Sequence, residues 1–172
     1  EPSLHLTHGV DMAINVGNAL YFAPFDLLAK TPLLSDAQRL DAFRTTTGYL
    51  LRAHLGQGTD IRLGRLAAAG GLDDVLETDL EPEVLRSYRQ KTGAALASIT
   101  ELAAILAAPT IQVRRASVAL AESLGVAFQI VDDVLNLSGD PDLGKTAGED
   151  LREGKLTYAI IRTLKALPHK DA

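Results

Sequence analysis

Cysteine and tryptophan are absent from the 172 residues, and methionine occurs once. Without cysteine there is neither a disulfide framework nor a thiolate metal centre, so a cytoplasmic protein is the expectation. Aromatic residues make up only 5% of the chain, and the formal net charge is -5 with a pI near 5.3. No basic stripe with interleaved aromatics is present, so nucleic acid is not an expected partner. Long hydrophobic runs are scarce too. The longest in the middle of the chain, "LASITELAAILAAP", is broken by Glu101 and is too short for a membrane span. Runs of β-branched residues bounded by hairpin turns are also missing, which leaves little material for a sheet.

What remains is a chain with 47% hydrophobic residues, rich in Ala, Leu and Arg and helical in period throughout. An all-α chain is expected, with residues 1–172 forming a single helical domain, since no repeat or low-complexity linker divides it. The opening "EPSLHLTHG" reads as the middle of a longer sequence rather than a beginning.

A first helix is expected over residues 10–30, kinked at Pro24 and followed by Pro32. Ser35 and Gln38 fit a capping box, with Asp36 favoured in the first turn of a long helix. The Gly70–Gly71 pair predicts the end of that helix, and "GGLDDVLETDLEP" then reads as a connector. A helix over 83–108 carries Tyr88, Thr92, Ala95, Leu96, Ile99, Leu102, Ala103 and Leu106 on one stripe. Further helices are expected over 114–137 and 157–167, separated by a loop marked by Gly139, Pro141 and Gly144.

The 114–137 helix holds the main chemical signal. Gln129, Asp132, Asp133 and Asn136 are three and four residues apart, so they share a narrow stripe. Phe128, Ile130, Val131, Val134, Leu135 and Leu137 occupy the rest of the circumference, which predicts a buried helix facing a wet cavity. An amphipathic helix whose acids merely touch solvent is the bland alternative. Against it, no Lys or Arg shares the stripe, and neighbouring carboxylates repel unless something positive sits between them. Asp and Asn oxygens with no His or Cys suit Mg²⁺, which keeps several waters and shares its sites with phosphate oxygens. Lys145 and Lys155 follow closely enough to grip the same phosphate. Lys91 lies beside Thr92 at the margin of a core stripe, and Gln57 and Asp60 follow Gly56 three residues apart. Each of these reads equally well as an ordinary polar patch. For Gly56 and Gly58 the structural alternative is close helix approach.

In order, "GQGTD", "KTG", "FQIVDDVLNL" and "GKTAGEDLREGKLT" resemble the trans-isoprenyl diphosphate synthases of the polyprenyl synthetase family, and "PSLHLTHGVDMAINVGNALYF" is similar to the segment after that family's first aspartate-rich motif. The resemblance implies an isoprenoid-synthase-type helical bundle around a central cavity, here incomplete. It implies that Asp132, Asp133 and Asn136 hold Mg²⁺, and that Lys91, Lys145 and Lys155 hold an allylic diphosphate. Thr92 and Gln129 would lie near the developing allylic cation, with Gln57 and Asp60 in the cavity wall. The implied reaction joins an allylic diphosphate to isopentenyl diphosphate to give a longer trans-prenyl diphosphate. A homodimer is implied as well, with "AINVGNALYF" as the candidate contact. Two rivals stand beside this reading: a non-catalytic helical subunit that modifies a partner synthase, and a terpene cyclase on the same fold. The sequence departs from the family at Asn136, where an Asp is usual, and lacks the first aspartate-rich motif. "LDDVLETD", with Asp73, Asp74, Glu77 and Asp79, is a poor substitute because it sits in a turn-rich connector.

Overall fold

The computed structural model describes residues 2–139 and 147–166, with backbone alone for 70–77 and 149. Among them there is no strand. A short helix α1 (Leu4–His8) turns at Gly9, whose φ of 88° suits glycine, into α2 (Val10–Lys30). Pro24 lies inside α2, which continues as one helix on either side of it.

Neither α1 nor α2 buries a residue. The α2 helix is instead fastened to α3 (Asp36–Glu77) by side-chain contacts. Phe25 stacks on Phe43 with ring centroids 5.7 Å apart, and Tyr21 meets His54 at 5.1 Å. Helix C-termini leave carbonyls without intrahelical partners. The Arg39 guanidinium donates to those of Leu28 and Ala29 and to the following Thr31 and Leu34 carbonyls, closing the end of α2 from the first turn of α3. The capping box is present: the Ser35 amide donates to Gln38 Oε1 at 3.1 Å, and the Gln38 amide donates to Ser35 Oγ at 3.3 Å.

Two helix expectations need correction. The α3 backbone does not stop at Gly70–Gly71 but continues to Glu77. Glycine in a helix interior costs about 1 kcal/mol relative to alanine without forbidding the geometry. The helix expected over 83–108 is three pieces: α4 (Glu81–Tyr88), a π turn (Arg89–Gly93) and α5 (Ala94–Ala107). One π turn inserts a residue and rotates everything after it. The buried residues from its end onward are Gly93, Ala94, Ala97, Ala104 and Ile105, whereas Ala95, Ile99, Ala103 and Leu106 of the expected stripe are exposed.

Thr110 caps α6 (Ile111–Ser138), accepting from the Val113 amide. The short α7 (Glu149–Arg152) follows, and then α8 (Tyr158–Ala166), where Thr157 Oγ1 accepts from the Ile160 amide. Leu63, Leu80, Val84, Tyr88 and Ile161 form the core, which joins α3, α4 and α8 and receives Val126 and Ile130 of α6.

The α6 helix crosses the π turn at very close range. A Cβ on Gly125 would lie 2.7 Å from Gly93 Cα and from the Thr92 carbonyl oxygen. Glycine is required there so that the backbones can touch. Gly56 does the same for α3, since its Cβ would lie 2.8 Å from Gln90 Cβ and 3.0 Å from the Lys91 amide nitrogen, while Gly58 faces open space.

These contacts settle which way α6 faces, and the outcome corrects the expectation of an all-round buried helix. Asp133 is 3% exposed and Asn136 6%, yet Phe128 is 64% exposed, with Val131 and Val134 also open. Donors on α4 and neighbouring segments draw the polar stripe inward, which leaves the opposite apolar face of α6 outward.

Candidate active site

One pocket of about 250 Å³ gathers side chains from four separate segments. Gln57 and Asp60 come from α3, Tyr88 and Lys91 from the end of α4 and the π turn, and Gln129, Asp132 and Asp133 from α6. Asp150, Lys155, Leu156 and Thr157 close it from the stretch between α7 and α8. Gly56 lets α3 approach the π turn closely enough for Lys91 Nζ to pair with Asp60 Oδ2 at 2.6 Å.

The buried Asp133 sits at the centre of a hydrogen-bond network. Its Oδ2 accepts from the Tyr88 hydroxyl and its Oδ1 from Gln129 Nε2 at 3.1 Å. Gln129 Oε1 in turn accepts from the Thr92 hydroxyl at 2.7 Å, which fixes the orientation of the amide. Burial holds the Asp133 carboxyl above the usual carboxylate range, the two hydrogen bonds oppose that shift, and the charges of Asp150 and Asp132 add to it. Burial also raises the Tyr88 phenol, with its bond to Asp133 contributing.

Asn136 belongs to a different arrangement from the one its place in the stripe suggests. It does not line the pocket; its Oδ1 accepts from the Asp150 amide at 3.0 Å and its carbonyl accepts from the Gly148 amide at 2.8 Å. It thereby positions Asp150, whose Oδ1 pairs with Lys155 Nζ at 2.6 Å, while Glu153 holds the same ammonium at 2.9 Å. Hydrogen bonding to Asp150, and then to Glu153, raises the Lys155 pKa, so Lys155 is charged at neutral pH.

The pocket continues into a lipophilic groove. Gln57 and Lys91 also border a cavity of about 360 Å³, together with Thr92, Leu50, Ala53 and Ala95. Tyr21, Leu50, Ala53 and Ala95 then lead into an apolar cavity of about 550 Å³ between α2, α3 and α5. Ile99 and Leu102 line this end. The stripe that the sequence assigned to a packed core is therefore, in part, the wall of a cavity.

Seven of the residues singled out from the sequence, Gln57, Asp60, Lys91, Gln129, Asp132, Asp133 and Lys155, meet at the polar pocket, and Thr92 lies at its border. Lys145 lies outside the described residues. Of the rival acidic segment, Asp79 pairs with Lys165 at 2.5 Å rather than lining the pocket, and the side chains of Asp73, Asp74 and Glu77 lie outside those described. Sequence reasoning missed Tyr88, Asp150 and Thr157 as pocket residues. Tyr88 stands three residues before Lys91, on the same helical face, and a buried tyrosine needs a partner for its hydroxyl.

The donor set can be tested against a divalent ion. Among the described residues no three His, Cys, Asp or Glu converge on one point. Mg²⁺ does not need such a cage, because one or two carboxylates with phosphate oxygens and water suffice. Asp132 lines the pocket beside the buried Asp133, whose carboxyl is pushed up first by burial and further by the charges of Asp150 and Asp132. Carboxylate and amide oxygens with no His or Cys among them fit that ion.

Residues 1–172 match the sequence model described as polyprenyl synthetase. The chain is similar to the short chain isoprenyl diphosphate synthase of Methanocaldococcus jannaschii, with 31% identity over 168 residues, covering 97% of this chain and 47% of that protein. It is also similar to the geranylgeranyl diphosphate synthase of Sulfolobus acidocaldarius, with 31% identity over 166 residues, covering 95% and 47%. The crystal structure of geranylgeranyl pyrophosphate synthetase from Pyrococcus horikoshii matches with a TM-score of 0.84 at 26% identity, covering 99% of this chain and 49% of that one. The chain spans about half the length of the curated relatives it matches.

Proposed function

The chain belongs to the polyprenyl synthetase family, and from that premise we propose that its groove binds an allylic prenyl diphosphate for condensation with isopentenyl diphosphate. The product is a longer trans-prenyl diphosphate. One observation carries this reading: a pocket of lysines and aspartates runs, through Gln57, Lys91 and Ala95, into a cavity lined by Leu50, Ile99 and Leu102. A charged head on a hydrocarbon tail is the ligand that such a groove fits.

The chain's own residues account for the demands of the reaction. When the allylic C–O bond breaks, its electron pair leaves with the diphosphate, and the Lys91 and Lys155 ammonium groups stabilise the growing negative charge. Asp60 and Asp150 hold those two lysines at the pocket wall. Thr92 and Gln129, bonded to each other at 2.7 Å, present neutral oxygens where the polar and apolar ends meet. Neutral dipoles stabilise an allylic cation without capturing it as a carboxylate would. The apolar wall excludes water that would quench the cation. The alkene pair of isopentenyl diphosphate then forms the new C–C bond, and loss of a proton restores a double bond. Bound by Asp132, with Asp133 behind it, Mg²⁺ would supply Lewis-acid neutralisation of the diphosphate oxygens.

No helix among the described residues is long and apolar enough to cross a membrane. The α2 helix, which buries nothing and exposes Ile14, Leu20 and Phe22, is the surface we assign to a second copy of the chain.

Calorimetry tests the reading. Inorganic pyrophosphate and geranyl diphosphate are each titrated into the protein with and without Mg²⁺, and incubation with isopentenyl diphosphate is followed by product analysis. The expected results are Mg²⁺-dependent binding of both, tighter for the prenyl compound, and a lengthened product. Absence of Mg²⁺-dependent diphosphate binding would refute the proposal.

A further inference from the structure

Tyr88 is 6% exposed and has two environments. Its ring packs in the core with Leu63, Leu80, Val84 and Ile161, while its hydroxyl reaches the floor of the polar pocket. There the hydroxyl makes two different bonds. It donates to Asp133 Oδ2, and it accepts from the Tyr158 amide at 2.9 Å. Tyr158 begins α8, three residues after Lys155. One hydroxyl thus joins the carboxylate wall on α6 to the segment that carries the lysine.

Resting on the diphosphate reading above, we propose that Tyr88 is a positioning residue that fixes Asp133 behind Asp132 and couples that carboxylate to the 155–158 segment. The geometry gives the role its content. A carboxylate has several lone-pair sites, and those on Asp133 that accept from Tyr88 and Gln129 are committed to orientation. Asp132, the adjoining and less buried acid, lines the same pocket. Hydrogen-bonded partners behind a metal-binding carboxylate typically change affinity or activity about 10- to 100-fold when removed. The second bond of Tyr88 means that firming the acid wall also firms the start of α8.

Calorimetry with inorganic pyrophosphate over a Mg²⁺ series tests this on the wild type, Tyr88→Phe, Asp133→Asn and the double variant. Phenylalanine keeps the ring in the core and deletes only the hydroxyl. The Mg²⁺ concentration for half-maximal pyrophosphate binding is expected to rise about tenfold or more in Tyr88→Phe. The double variant should bind no more weakly than Asp133→Asn alone, because the hydroxyl acts through that carboxylate. A merely structural role would give additive losses. An unchanged Mg²⁺ response in Tyr88→Phe, or additive losses, overturns the inference while leaving the diphosphate reading in place. A wild type that binds no Mg²⁺-dependent pyrophosphate overturns both. A measurement on the unaltered protein guards against a poorly folding variant: exchange of the Tyr158 amide should slow when Mg²⁺ and pyrophosphate bind. Exchange that ignores the ligand overturns the coupling.

Discussion

At the polar end of the groove, Asp133 is 3% exposed, with a hydrogen bond accepted at each oxygen. At the apolar end Ile99 is 64% exposed and Leu102 half-buried, and the lining is almost entirely hydrocarbon. Directional bonds to buried charged groups contribute about 1.5–3 kcal/mol each and tolerate little displacement. Apolar contact is non-directional and roughly proportional to area, so it accepts many shapes. On the proposed reading the two ends suit two tasks: holding one invariant headgroup and accommodating a chain of changing length. They meet across the middle cavity, at Gln57, Lys91 and Ala95, and Thr92 of that cavity's wall lies where α6 crosses the π turn at Gly125 and Gly93.

The largest effect is expected at that junction. In Gly125→Ala the new Cβ would fall 2.7 Å from two backbone atoms, neither of which can swing aside. Overpacking of this kind typically costs about 1–3 kcal/mol. Thermal unfolding should report the loss, and weakened pyrophosphate and prenyl diphosphate binding together should show that both ends depend on one crossing. Binding unaltered in a stable variant would mean that the ends are held independently.

Next is Asp132→Ala, which strikes the polar end alone. Mg²⁺-dependent pyrophosphate binding should fall about 100-fold, with thermal stability close to wild type because Asp132 is only partly buried. Normal binding or turnover by this variant would remove Asp132 from the site. The smallest change is Ala95→Phe, at a position that borders both the middle and the apolar cavities. Here the affinity for geranyl diphosphate should drop several-fold while that for inorganic pyrophosphate holds, a difference that calorimetry resolves directly. Equal losses for both ligands would show that the groove is not divided as described.

Spacing made the α6 part of the pocket legible, whereas Gln57, Asp60, Lys91 and Lys155 were legible only through the family resemblance. Gln129, Asp132 and Asp133 share a stripe by helical geometry alone, and the α6 stripe needed no partner to be noticed. Asn136 shows where spacing fails. It shares the stripe, but its Oδ1 accepts from the Asp150 amide fourteen residues on, a contact with the lysine-bearing segment that spacing does not indicate. Tyr88 shows the same limit, since its partners Asp133 and Tyr158 lie 45 and 70 residues away. The apolar groove was hidden for another reason: a cavity wall and a packed core carry the same hydrophobic stripe, and the π turn shifted which half of it was buried.

By itself the sequence determined the all-helical architecture, the Ser35–Gln38 cap, the α2 helix at residues 10–30 and the supply of acids and lysines. Each of these depends on interactions within a turn or two of the chain. Tertiary structure alone decided which face of α6 turns inward, where the helical phase slips after Tyr88, and which polar atoms are spent on one another. Those outcomes depend on backbones brought within contact at Gly56, Gly93 and Gly125 and on bonds between residues far apart in sequence, which no local periodicity encodes.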